Sequence, residues 1–146
     1  MIITFCGHSD YIPTPDDEER VLSLLERIVG DGAAEFFLGG YGAFDHFAYN
    51  CCKQYKQTHP RVSLVFVTPY IREAYLKGKD RIYDEIVYPE IGDKPQRFAI
   101  SYRNKYMVEK ADRVIAYVSH DWGGAYATYK LALKKGKIVY NLAYHA

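Results

Sequence analysis

The residues best suited to chemistry in this chain sit in glycine-rich turns. Trp122-Gly123-Gly124 falls between an apolar run, Arg113 to Val118, and a stretch with helical character, so the chain turns there from sheet to helix. Glycine tolerates positive φ in such a turn and lets a ligand approach the backbone. The helix that follows presents unpaired N–H groups and the positive end of its dipole, which suits an anion such as phosphate. Gly123, Gly124, Ala125 and Tyr126 are thus the leading anion site, with Thr128 adding a hydroxyl one turn in. Gly39-Gly40-Tyr41-Gly42 repeats the arrangement after Ala34 to Leu38, and Cys6-Gly7-His8-Ser9-Asp10 follows the apolar MIITF. One glycine cluster is a weak signal, because sharp turns use glycine for steric reasons alone. Two that each lie between an apolar strand and a helix are stronger, since in a parallel sheet both fall on one edge and can face one ligand. His8, Ser9 and Asp10 either point into that site or form a plain polar loop.

Polar side chains elsewhere fit the same edge. Asp45 and His46 lie one turn into the helix after Gly42. Asp45 suits ribose hydroxyls or a base, whereas His46 reads equally well as a surface residue. Pro95 to Lys110 reads as a helix, with Phe98, Tyr102, Tyr106 and Met107 on its apolar face and Arg103 and Asn104 as its informative polar residues. A strand crossing would bring Arg103 and Asn104 to the mouth of the Gly123-Gly124 turn, where arginine holds phosphate or carboxylate by a bidentate fork. Without the glycine turns, Arg103 would read as an exposed residue on a solvated face.

The elements that must position these residues follow from the pattern. Apolar runs near residues 2–6, 34–38, 62–68, 113–118 and 138–142 lack polar alternation, as strands buried on both faces do. Thr14 can cap a helix with Pro15 at its first position and Asp17 reaching back, and Val21, Leu24, Leu25 and Ile28 give it one buried face. Gly42 opens a helix to about Tyr55. Ile71 to Asp93 reads as a short helix and an irregular loop, a lid, a partner surface or a variable connection. The order β-α-β-α-β-(loop)-α-β-α-β predicts an α/β fold, a single doubly wound Rossmann-like domain over 1–146 with a mainly parallel central sheet flanked by helices.

Composition sets the bounds. A chain of 146 residues is one domain's worth. A net charge of +1 gives no footprint for general nucleic-acid or membrane-surface binding. No stretch approaches the ~20 apolar residues that span a bilayer, and no signal-peptide pattern is visible, so a cytoplasmic location is expected. Three cysteines, with Cys51 and Cys52 adjacent, fit neither a disulfide framework nor zinc spacing, and no metal site is expected. The 15 tyrosines suit the sheet edges, with some available to a flat ligand.

The glycine turns and the Arg103-Asn104 helix together resemble the SLOG superfamily. These are Rossmann-like domains that include the lonely-guy phosphoribohydrolases, the DprA core and YpsA-like proteins. The resemblance runs nearly end to end, through Cys6-Gly7-His8, Gly39-Gly40-Tyr41-Gly42 and RNKYMVEKADRVIAYVSHDWGGAYATYKLALKKGKIVYNLA. It is nearest the YpsA-like branch, with a Gly-His pair ending the first strand and an Arg-Asn pair before the second glycine turn. The resemblance implies binding of a nucleotide or ADP-ribose-like ligand along the carboxyl edge. In the lonely-guy enzymes a glutamate follows the second turn and works with an upstream arginine, which Arg103 resembles. Here Ala125-Tyr126-Ala127-Thr128-Tyr129-Lys130 follows, with no carboxylate.

Two functions therefore stand open. One is a sensor or carrier of a nucleotide-derived ligand, with no cofactor firmly implied. The other is an N-glycosidase or phosphoribohydrolase-type enzyme in which Asp121, Asp45 or Asp10 replaces the glutamate, because glycosidic cleavage needs a carboxylate. The expected partner is a small nucleotide-like molecule, with no general nucleic-acid binding and no membrane. Homo-oligomerisation is left open, as is a blander scaffold whose tyrosine-rich loop binds protein.

Overall fold

Strands covered on both faces need apolar side chains at nearly every position, and the central runs of this chain supply them. The computed structural model describes residues 1–91 and 95–144. Its strands are β1 (Ile2–Gly7), β2 (Ala34–Leu38), β3 (Val62–Val67), β4 (Glu85–Val87), β5 (Arg113–Tyr117) and β6 (Ile138–Asn141). They form one parallel sheet in the order β4-β3-β2-β1-β5-β6. The helices are α1 (Pro15–Ile28), α2 (Gly42–Thr58), the short α3 (Glu73–Leu76) and α4 (Lys79–Ile82), α5 (Ala99–Lys110) and α6 (Gly123–Lys134). Among the described residues no helix is long and apolar enough to cross a membrane.

Alternate side chains of each strand feed two cores. Ile3, Phe5, Phe36, Leu38, Leu64 and Phe66 pack with α1 and α2. Cys6, Val114 and Ala116 pack with Val108 of α5 and Ala132 of α6, and Phe37, Val65 and Val67 with Met107 of α5. The chain winds outward from β1 to β4, then returns to lay β5 against the free side of β1. Strand order reverses there, and the carboxyl ends of β1 and β5 diverge into a crevice suited to a ligand.

Several sequence expectations are corrected. Residues 71–91 hold two short helices and an edge strand, β4, rather than one helix and a loop; Gly92 and Asp93 of that predicted loop lie outside the described residues. Thr14 caps α1 by accepting the Asp17 N–H at 3.0 Å, but the Asp17 carboxylate does not reach back. It accepts instead from the Tyr11 hydroxyl at 2.6 Å and from Arg20 at 3.3 Å. Of the predicted apolar face near α5, Met107 is buried and Tyr106 half-buried as expected, but Phe98 and Tyr102 are exposed, and Ala99, Arg103 and Val108 complete the buried face instead.

Gly7 ends β1 hard against α2. A Cβ there would fall inside the van der Waals envelope of the Phe44 ring, which is itself fully buried. Gly7→Ala should therefore destabilise the fold by about 1–3 kcal/mol through overpacking. Urea denaturation checks this, and an unchanged midpoint would show that Phe44 has room to move.

Candidate functional site

A cleft of about 350 Å³ opens at the strand-order reversal. The β1 end contributes Phe5, Cys6, Gly7, His8, Ser9 and Asp10. The β5 end and α6 contribute His120, Trp122, Gly123, Gly124, Ala125 and Thr128. Tyr41 and Asp45 enter from the start of α2, and Ile100, Arg103, Asn104 and Met107 from α5.

His8 joins the two strand ends. Its backbone N–H donates to Tyr117 O, and its Nε2 accepts the Ser119 N–H at 2.9 Å. That nitrogen therefore carries no proton, and the imidazole is neutral with its hydrogen on Nδ1. Burial holds the His8 pKa below its ordinary value, aided by His120 and opposed by Asp10. The His8 and His120 rings stack with centroids 3.6 Å apart, and Trp122 stacks on His120 at the same spacing. Trp122 is 65% exposed, so this three-ring column ends in an indole open to solvent. His120 Nδ1 is buried with no partner among the described residues. An unmade bond of that kind costs about 1–3 kcal/mol.

Arg103 is a buried brace rather than a residue of the rim. Its side chain is 2% exposed, its Nη1 donates to Gly39 O at 2.7 Å and Val67 O at 3.0 Å, and its Nε donates to Asn104 Oδ1 at 2.9 Å. Only Nη2 lacks a partner among the described residues, so Arg103 offers the cleft one nitrogen and not the expected bidentate fork. Asp45 accepts the Tyr41 N–H at 3.0 Å. Burial lifts its carboxyl to about 6, against the pull of that N–H and of Arg103. Burial likewise pushes the Cys6 thiol up to about 12, which makes it inert as a nucleophile.

The start of α6 is the most anion-ready feature. Trp122 is the N-cap and makes no side-chain cap hydrogen bond, so the first N–H groups are left without that partner. Gly123 takes φ +89°, which the turn requires and which a side chain would strain. A Cβ at Gly124 would meet no heavy atom within 4 Å. Thr128 Oγ1 donates to Gly124 O at 2.9 Å, leaving only its lone pairs for a ligand.

No family model matches the chain. It is similar to a UPF0398 protein of Halalkalibacterium halodurans, with 24% identity over 127 residues, and it spans 81% of its own length and 65% of that relative. Among solved structures it superposes on DNA processing protein A of Helicobacter pylori with a TM-score of 0.64 and 19% identity, covering 95% of this chain and 63% of that one. The same protein of Streptococcus pneumoniae gives a TM-score of 0.65 and 15% identity, over 94% and 48% of the two chains. With the sheet order, these likenesses show a Rossmann-like fold. They agree with the SLOG resemblance of the sequence motifs.

The Helicobacter pylori protein binds single-stranded DNA, which overturns the expectation of no general nucleic-acid binding. Net charge averages over the whole surface and does not describe a local binding edge, so +1 does not by itself exclude a strand.

Of the residues expected at the SLOG ligand edge, Gly7, His8, Ser9, Tyr41, Arg103, Asn104, Trp122, Gly123, Gly124, Ala125 and Thr128 line the cleft. Gly39, Gly40, Gly42 and Tyr126 do not line it. The first three provide close packing: a Cβ would press Gly39 on Arg103 and Asp45, Gly40 on Phe66, and Gly42 on Ser9. Of the three carboxylate candidates, Asp10 and Asp45 line the cleft and Asp121 does not. His120 was not singled out from sequence, although its place two residues before Trp122 makes an aromatic pair at a strand end.

Asp45 gives this geometry a pH signature. Its folded-state value of about 6 lies above the ordinary 3.8, so folding favours the protonated form. That stabilisation is complete below the ordinary value and is lost as pH rises through the folded one. Asp45→Asn keeps an oxygen for the Tyr41 N–H and cannot ionise. Its stability relative to wild type should rise by about 1–3 kcal/mol between about pH 4 and pH 7.5. Paired urea titrations at both pH values measure this, and a difference independent of pH would remove burial as the cause.

Proposed function

We propose that this domain binds a nucleotide-derived or ADP-ribose-like ligand at the carboxyl edge of its sheet, as a sensor or carrier. The observation that carries the reading is the uncapped N-terminus of α6 lying beside the exposed ring of Trp122 in one cleft. Backbone N–H groups and about half a positive charge suit a phosphate. An exposed indole suits a base, whose stacking is worth about 1–3 kcal/mol. Arg103 Nη2 and the orphaned His120 Nδ1 supply further polar atoms at that edge. The Helicobacter pylori neighbour binds single-stranded DNA, and each unit of a strand carries the same phosphate and base. The reading therefore covers a nucleotide unit free or within a strand.

A second reading, hydrolysis of an N-glycosidic bond, draws on the Asp45 carboxyl, which lines the cleft with a value near that of a general acid. Against it, Asp45 already accepts the Tyr41 N–H, and no carboxylate follows Gly124 on the first turn of α6.

Calorimetric titration of AMP and thymidine monophosphate tests the binding reading. Gly124→Val adds bulk where the backbone meets no neighbour, so the fold should stand while affinity falls at least about tenfold, roughly 1.4 kcal/mol. Nucleoside monophosphate hydrolysis should be very slow or absent. Wild-type affinity in a folded Gly124→Val variant would leave this stretch as a structural turn only. Robust turnover abolished by Asp45→Asn would instead establish the hydrolase.

A further inference from the structure

The cleft does not end at α6. A groove of about 520 Å³ runs between α5 and α6 and shares Ile100, Asn104, Gly124 and Thr128 with it. Beyond those shared residues the groove is lined by Arg97, Lys105 and Tyr102, with small or apolar side chains of α6 opposite, and no carboxylate among the described residues lines it. Resting on the reading above, we propose that the ligand carries a second phosphate-linked unit that leaves the cleft past Asn104 and seats in this groove, its phosphate held by Arg97 and Lys105.

Asn104 marks the passage. The Arg103 Nε can pair only with an oxygen, and it holds Asn104 Oδ1 at 2.9 Å. The amide is thereby fixed with its NH2 as the remaining donor, and that nitrogen has no partner among the described residues. A donor oriented in this way, at the junction of two hollows, suits the oxygen of a linking phosphate. Beyond it the cations are free to respond. Arg97 is exposed, with its guanidinium 4.9 Å from the centre of the Phe98 ring. Lys105 is 52% exposed and stands 3.9 Å from Glu109, the outer limit of an ion pair and screened by water. A phosphate arriving in the groove meets two exposed cations and an aromatic side chain, Tyr102, which is the combination that tracks a nucleotide chain. Both cations lie on one wall, which fixes the side along which the second phosphate runs.

Two sources share this chemistry: a pyrophosphate-linked molecule such as ADP-ribose, and a short single strand. Trp122 is the only tryptophan, so its fluorescence reports binding at the cleft mouth. The test compares AMP with ADP-ribose, and thymidine monophosphate with tetrathymidylate, on the full chain and on an Arg97→Ala/Lys105→Ala variant. We expect the longer member of one pair to bind wild type about tenfold more tightly than its mononucleotide, as one charge-assisted contact supplies. The double variant should erase that gain and leave mononucleotide affinity unchanged, which also shows that it is folded. The pair showing the gain identifies the source. Equal affinities within both pairs would overturn the groove while leaving the cleft reading intact. A gain that survives in the double variant would overturn the assignment of Arg97 and Lys105. No response to any of the four ligands, by fluorescence or calorimetry, would overturn the cleft reading itself and the groove with it.

Discussion

A parallel sheet leaves carbonyl groups pointing outward at the carboxyl ends of its strands, in the place where it also opens for a ligand. Arg103 meets that constraint here. Its guanidinium crosses from α5 to the ends of β2 and β3, taking Gly39 O and Val67 O, and it is buried as deeply as the apolar core. Burying a cation is made tolerable by pairing most of its hydrogens and by a nearby counter-charge, and Asp45 provides that charge across Gly39. Glycine suits position 39 because a Cβ would lie a tight 3.1 Å from both the Arg103 Cζ and an Asp45 oxygen, so either would have to shift. The orientation of Asn104, the turn into α2 and the back wall of the cleft all follow from this one side chain.

On the other side of the cleft, His8 does comparable work without charge. By accepting the Ser119 N–H it ties the β1 loop to the β5 loop, and its ring carries the His120 and Trp122 column above it. The two sides differ in what they give a ligand. The arginine side is rigid and nearly saturated, whereas the histidine side ends in an exposed ring and the open backbone of α6.

Five strands were legible because each is a mostly apolar run, which for the central strands reflects burial on both faces. β4 was not, since Glu85–Val87 is a three-residue edge strand, exposed to half-buried, with no pattern long enough to read. The face of α5 was misread for a related reason. Its most buried long side chain is an arginine, so periodicity that included Phe98 and Tyr102 placed Met107 and Tyr106 correctly and missed the buried Arg103. The glycine turns were legible as turns, but sequence cannot separate a glycine that admits a ligand from one that admits a neighbouring side chain. Gly40 packs on Phe66 and Gly42 on Ser9, contacts that bring together residues far apart in the chain. His120 carried no periodicity at all, and its role as the middle ring depends on His8 arriving from the opposite end of the sequence.

The pairing of β1 with β5 has a consequence for how the protein is made. Ile3 aligns with Arg113, and the Ile2 N–H reaches the Asp112 carboxylate across 110 residues of chain. During synthesis β1 can pair with β2 early, but its other edge stays unpaired until β5 emerges from the ribosome. Contacts of such sequence separation are slow to close, and an open apolar strand edge invites mispairing in the interval. The cleft, built from both strand ends, therefore forms late: a nascent chain halted before β5 holds the β1 half of its binding edge and lacks the half that β5 and α6 supply.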